Sequence, residues 1–225
     1  MYLSRLILNP RNRRVQSELA RPYEMHKSLM RAFPSGLAEG EERMLFRVDE
    51  IARYQAPAVL VQSLLLPDWS WLADDEAARG YLLPVSEPNP ALKAFNLTVA
   101  VGQVLGFRLR ANPTVKKEDE KGRPVRRGLL TEEKQTQWLV RKGDSGGFRV
   151  ITVNIAREGK VGGSIHRART QTSEKATHDL TLLAVRFDGV LQVIDPDQLL
   201  ATLRQGIGSG KGFGFGLLSL APAPM

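Results

Sequence analysis

The order of hydrophobic periods in the first half of the chain narrows the fold more than any other feature. Tyr2–Leu8 is aliphatic and stops at Asn9-Pro10, as a strand does before a turn. Met44–Glu50 alternates, with Met44, Phe46 and Val48 on one face and Arg47 and Asp49 on the other. Ala58–Leu66 is an almost unbroken apolar run suited to a central strand. Gln103–Arg110 alternates again: Leu105, Phe107 and Leu109 point inward, while Arg108 and Arg110 share the opposite face. A helix is expected from about Tyr23 to Phe33, with Pro22 at its first position and Pro34 beyond its end. A second, short helix is expected over Pro90–Phe95. The resulting order, βαββαβ, is that of an α+β, ferredoxin-like (RRM-like) domain over residues 1–114. Such a sheet is a common RNA platform, but the arrangement serves many tasks and does not fix one.

The second half repeats the theme. Residues 115–128 are polar and basic, contain Pro and Gly, and read as a linker. Thr131 is placed to cap a helix running to about Lys142. Phe148–Ile155 reads as a strand, and Leu180–Phe187 and Val190–Ile194 flank Asp188-Gly189, a two-residue hairpin signal. Asp195-Pro196 opens a helix with Leu199, Leu200 and Leu203 on its buried side and Gly206 at its end, and Phe213–Leu220 is the last strand. This half carries one strand more than the simple pattern needs. Tandem ferredoxin-like domains are therefore expected, the second over residues 129–225.

A chain of 225 residues, 42% of them hydrophobic, has the material for two such cores. It contains no run near the roughly 18 apolar residues of a membrane span, no signal-peptide pattern after Met1, and no cysteine. A cytoplasmic protein without disulfides or thiolate metal sites is expected. The net charge of +8 is segregated: residues 1–31 hold seven Lys/Arg against two Glu, residues 32–100 five against ten acids, and residues 101–225 twenty against twelve. Segregated positive charge suits a polyphosphate partner, because each Lys or Arg contact releases a condensed counterion.

Metal chemistry is not expected. His26, His166 and His178 form no close ligand pair with a carboxylate, and the acids occur in solvated runs such as Asp74-Asp75-Glu76. The helix near residue 26 is more informative. Met25, Leu29, Ala32 and Phe33 make an apolar stripe; Tyr23 and His26, three apart, are neighbours on the adjoining face; Lys27 and Arg31 lie further round. A phenol, an imidazole and two cations together suit RNA cleavage without a metal. The 2′-hydroxyl must lose a proton, the 5′-oxygen must gain one, and the phosphorane charge must be stabilised; an imidazole can serve either transfer near neutral pH. An ordinary amphipathic helix with a surface histidine is the competing reading of the helix alone.

Two further segments stand out. Gly206, Gly208, Gly210, Gly212, Gly214 and Gly216 recur at every second position around Lys211. Such a loop permits close backbone approach and amides aimed at phosphates. It is neither a Walker A loop, since Gly212 follows Lys211 where Ser or Thr is required, nor a dinucleotide fingerprint, since it runs from helix to strand. The polar stretch Arg157–Lys175, with Lys160, Arg167 and Arg169, joins two strands and reads equally as a hairpin that enters an RNA groove or tracks a backbone and as a solvated, disordered loop.

Together the residues resemble the CasE family, the endoribonucleases of type I-E CRISPR systems within the RAMP superfamily. The matching pieces are the start Met1-Tyr2-Leu3-Ser4-Arg5-Leu6-Ile7-Leu8-Asn9-Pro10, Pro22-Tyr23-Glu24-Met25-His26, Leu60-Val61-Gln62-Ser63 with Pro67-Asp68-Trp69-Ser70, Phe107-Arg108-Leu109-Arg110-Ala111-Asn112-Pro113, and the glycine-rich end through Leu217-Leu218-Ser219-Leu220-Ala221-Pro222. The resemblance implies tandem ferredoxin-like domains and metal-independent cleavage of the CRISPR repeat hairpin at the 3′ base of its stem, through a 2′,3′-cyclic phosphate. No cofactor is implied. The product stays bound and the protein joins the other subunits of Cascade. His26 matches the family's catalytic histidine and Tyr23 its partner. Arg31 keeps the charge where relatives can carry Lys, whereas Pro34 cannot supply the hydroxyl of the Ser found there in relatives. Lys27, Arg108, Arg110, Arg157, Lys160, Arg167, Arg169 and Lys211 are the candidate RNA contacts. A binding-only RNA protein of the same superfamily is the alternative.

Overall fold

The computed structural model describes residues 1–37, 42–118, 122–166 and 177–223. Its first sheet is built from β1 (Tyr2–Ile7), β2 (Leu45–Ile51), β3 (Ala56–Ser63) and β4 (Ala91–Ala94). They are ordered β2-β3-β1-β4, with every pair antiparallel. Between β1 and β2 run α1 (Arg13–Ala20) and α2 (Pro22–Met30); the short α3 (Trp71–Asp74) follows β3. Asn12 starts α1 by accepting from the amides of Arg14 and Val15, and the expected Pro22 starts α2. Met25 and Leu29 are fully buried against the sheet with Phe46, Val59 and Val61. Each such side chain contributes about 1.5–3 kcal/mol.

The second sheet holds β5 (Val104–Ala111), β8 (Phe148–His166), β9 (Thr177–Val193) and β10 (Leu218–Pro222) in the order β10-β5-β9-β8. A hairpin of β6 (Thr114–Glu118) and β7 (Pro124–Gly128) stands apart, and α4 (Glu132–Asp144) and α5 (Pro196–Gln205) carry the apolar stripes that cover the sheet. Thr131 and Asp195 cap these helices as expected, accepting from the amides of Lys134 and Gln198.

Four expectations are corrected. Gln103–Arg110 supplies a strand with Leu105, Phe107 and Leu109 buried, but it pairs with β9 and β10 in the second sheet and not within the first. In place of the expected linker over 115–128, the described residues Thr114–Glu118 and Pro124–Gly128 pair as the strands β6 and β7. Pro90–Phe95 gives the strand β4, because the Ala91–Ala94 backbone completes the edge of β1 from Tyr2 to Arg5. Asp188-Gly189 is not a turn: β9 runs straight through it, opposite Arg108 and Phe107 on β5. A Cβ at Gly189 would lie 2.0 Å from the Thr152 carbonyl oxygen, so this glycine admits a close partner strand beside the bulge at Val150/Thr152. One long β9 in place of two strands removes the supernumerary strand.

Candidate active site

The helix carrying His26 is held from beneath by a buried polar knot. Glu18 accepts from Arg14 Nε at 2.8 Å, Ser28 Oγ at 2.6 Å and Tyr81 Oη at 2.6 Å. Arg14 also stacks on the rings of Trp71 and Tyr81. Burial first, then the Glu18 charge, pushes the Tyr81 phenol far above its ordinary value, so it stays a donor. This knot ties α1, α2 and the segment after β3 into one rigid base.

On its other side α2 meets the glycine-rich loop. Four rings follow one another: Phe213 to Tyr23 at 5.5 Å, Tyr23 to His26 at 5.9 Å, and His26 to Phe46 at 6.2 Å, all stacked. Phe46 comes from β2 and Phe213 from a tight turn at Lys211–Phe213, so both sheets' units furnish the imidazole's surroundings. Phe46 and Phe213 are buried, while Tyr23 and His26 are half-buried. His26 Nδ1 is buried without a hydrogen-bond partner among the described residues, whereas Nε2 is not so enclosed. Burial holds the His26 pKa below its ordinary value, so the neutral imidazole predominates at neutral pH.

Among the glycines, Gly212 alone stands against both rings: a Cβ there would lie 3.5 Å from each. Gly206, Gly208, Gly210, Gly214 and Gly216 instead take positive φ and lead the chain past Leu45, Trp138, Phe215, Phe46 and Ile207. The amides of Gly214 and Gly216 donate to the carbonyls of Lys211 and Arg110, so the loop's close approach is to protein side chains and backbone rather than to open phosphate positions at those two amides. Lys211 is partly buried, and burial, then Arg43 and Lys142, pushes its pKa down. It has no carboxylate partner among the described residues.

The remaining candidates fall into three groups. Lys27 is exposed beside Tyr23, at 5.2 Å from the ring, and is paired with Glu24 at 2.8 Å. Arg31 is not brought to the imidazole: five residues on, it points about 140° away round the helix, pairs with Asp75 at 2.7 Å and lies over Trp71 at 4.3 Å. Arg108 and Arg110 are likewise engaged. Arg108 pairs with Asp188 at 2.5 Å, and Arg110 with Glu158 at 2.6 Å while covering Phe215 at 4.7 Å. With Arg47, which reaches Asp49 at 2.8 Å and Ser219 at 2.9 Å, they make an ion-pair network joining the two sheets' units. Arg157 is exposed, 3.9 Å from Glu132, and Lys160 is exposed with no partner among the described residues. Arg167 and Arg169 lie outside the described residues, as do the side chains of His166 and His178.

Sequence reasoning passed over Phe46 and Phe213, which look like core residues, and the cations of β6 and β7. The doublets Lys116-Lys117 and Arg126-Arg127, spaced about Gly122, were the available sign of a basic hairpin. In the structure Lys116 stands opposite Arg126. Among the described residues no three His, Asp or Glu side chains are grouped so as to hold a metal ion. Among those residues, too, no helix is long and apolar enough to cross a membrane.

The chain is similar to known proteins over almost its whole length. A family model described as CRISPR associated protein matches residues 1–222. The chain is 40% identical to the CRISPR-associated endoribonuclease Cse3 of Thermus thermophilus, covering 99% of this chain and 100% of that protein. It is 30% identical to the CRISPR system Cascade subunit CasE of Escherichia coli, over 99% and 100% of the two chains. Among solved structures, CRISPR endoribonuclease Cse3 bound to 19 nt RNA superposes with a TM-score of 0.79 at 39% identity, over 99% of this chain and 100% of that one. Thermus thermophilus Cse3 bound to an RNA representing a pre-cleavage complex gives 0.76 at 38%, over 98% of each. The chain belongs to the Cse3/CasE family of CRISPR-associated endoribonucleases.

Proposed function

We propose that this protein binds the hairpin of a CRISPR repeat RNA and cuts it at the 3′ base of the stem, leaving a 2′,3′-cyclic phosphate. It then keeps the product and serves as a Cascade subunit in the cytoplasm. The observation that carries this reading is the imidazole of His26, stacked between Tyr23 and Phe46 with Nδ1 buried. Neutral near pH 7, it is suited to accept the 2′-hydroxyl proton through Nε2. The 2′-oxygen then attacks phosphorus, the bond from phosphorus to the 5′-oxygen breaks, and that oxygen leaves with a proton from the Tyr23 phenol or from water. Tyr23, one ring away, positions the phosphate or assists the departing oxygen. Lys211 is the cation we assign to the phosphorane charge, since its burial beside Arg43 and Lys142 is relieved by an anion. Arg31 would first have to leave Asp75.

The strand orders β2-β3-β1-β4 and β10-β5-β9-β8 support tandem ferredoxin-like domains, with the crossing between Ala94 and Val104 and the β6–β7 hairpin inserted in the second. The test is cleavage of the repeat RNA encoded beside this gene. His26→Ala should abolish cutting and keep hairpin affinity, and wild-type cutting should persist in EDTA. Full activity of His26→Ala would refute the assignment.

A further inference from the structure

Beside the active site, on the far side of Phe213, lies a hollow of about 610 Å³ that the cleavage chemistry does not use. Its floor is apolar, with Leu180, Leu182 and Phe213, and its rim carries Arg126, Arg127 and Lys160. All three cations are exposed and none has a carboxylate partner among the described residues. The hollow exists because β5 ends at Ala111, opposite Val185, while β9 begins earlier. Among the described residues, 180–184 of β9 are therefore paired in the ladder on the β8 side alone. Asn112 Oδ1 takes the amide of Leu183 at 3.1 Å; Thr181, two residues back, turns its peptide group to the same edge, lines the hollow and has no partner on that edge among the described residues.

We infer that this hollow receives an unpaired nucleotide of the bound RNA flanking the cut. The inference rests on the reading above and deepens it by naming a base subsite. An apolar floor matches a base face, the open Thr181 peptide matches a base edge, and the rim matches the phosphates on either side. The opposed like charges Lys116 and Arg126 on the neighbouring hairpin repel each other in the free protein and are relieved by a polyanion. Phe213 forms the shared wall: its one face touches Tyr23 of the catalytic pair, at 5.5 Å between centroids, and its side chain also lines the hollow. A base seated there fixes the register of the strand at His26.

The test uses the full-length chain with His26→Ala, to prevent cutting, and repeat hairpins carrying a single 2-aminopurine at successive unpaired positions on both sides of the cut. One position should change fluorescence on binding. Thr181→Trp, at an exposed strand position lining the hollow, should remove that signal. In the cutting-competent background it should lower kcat/KM about tenfold. An abasic nucleotide at the responsive position should cause a similar loss with wild-type protein and no further loss with Thr181→Trp. Arg126→Ala with Arg127→Ala should weaken binding of the hairpin with its flank more than of the bare hairpin. If the hairpin binds and is cut but no position responds, or Thr181→Trp changes nothing, the subsite is wrong while the nuclease assignment stands. If wild-type protein neither binds nor cuts the hairpin, the functional reading fails first and the subsite with it. A peptide that occupies the hollow in place of RNA would also overturn it.

Discussion

The base role we propose for His26 rests on what the residue lacks. A surface imidazole titrates near 6.5, but this one is walled by Tyr23 and Phe46, and its Nδ1 finds no partner among the described residues. Protonation would add charge in a half-buried place, so burial lowers the pKa. A base must be neutral to act, and a lowered pKa extends the neutral form to lower pH. The acid limb of the free enzyme, read from single-turnover kcat/KM against pH, should therefore fall below pH 6.5. Bound RNA adds phosphate charge beside the ring and favours the imidazolium, so the limb measured at saturating enzyme should move to higher pH. A free-enzyme limb at or above 6.5 would contradict the burial argument.

At the scale of elements, α2 is positioned by the Glu18 knot more than by its own length. Helix α2 has nine residues, short for independent stability, and draws its order from Met25, Leu29 and the Glu18–Ser28 hydrogen bond. Glu18→Ala would strand the buried donors of Ser28 and Tyr81 and leave Arg14 without its carboxylate. A loss of about 3 kcal/mol is expected in urea denaturation, with cleavage falling as α2 loses its seat. An effect below about 0.5 kcal/mol, the size of a surface change, would show that the knot is not structural. The periodic elements were legible because one face is buried: β2, β3, β5, α4 and α5 lie close to where alternation and capping place them. What failed was local signal with another cause. Gly189 follows Asp188 like a turn residue, yet it is glycine because Thr152 approaches. The β6–β7 hairpin is polar on both faces and so has no period to read. Tyr23 and His26 were legible as an i, i+3 pair, whereas Phe46 and Phe213 looked like any buried aromatic, and their role comes from the contact between two units distant in sequence.

Across the whole molecule, the sequence's charge segregation resolves into two classes of cation. The acidic stretch 32–100 neutralises structural arginines: Asp75 holds Arg31, Glu87 holds Arg5, and Asp49 holds Arg47. Asp188 and Glu158 do the same for Arg108, Arg110 and Arg186 in the network between the units. Lys116, Lys117, Arg126, Arg127 and Lys160 have no such partners among the described residues and lie on one side of the second unit, by β6, β7 and the hollow. A phosphate contact shows itself in the salt dependence of binding, because each one releases counterions, whereas a cation already paired with carboxylate contributes little. Hairpin affinity should therefore fall by about a thousandfold between about 50 and 200 mM salt if some six phosphates are engaged. Arg126→Ala should lower the slope of log affinity against log salt by about one. Arg108→Ala should leave that slope unchanged and instead lower the melting temperature, since it removes the arginine that Asp188 and Asp49 share at the seam between the units and leaves them Arg186 and Arg47 alone. Equal slope changes for the two variants would mean that RNA draws Arg108 out of its ion pairs and that the seam itself is part of the binding surface.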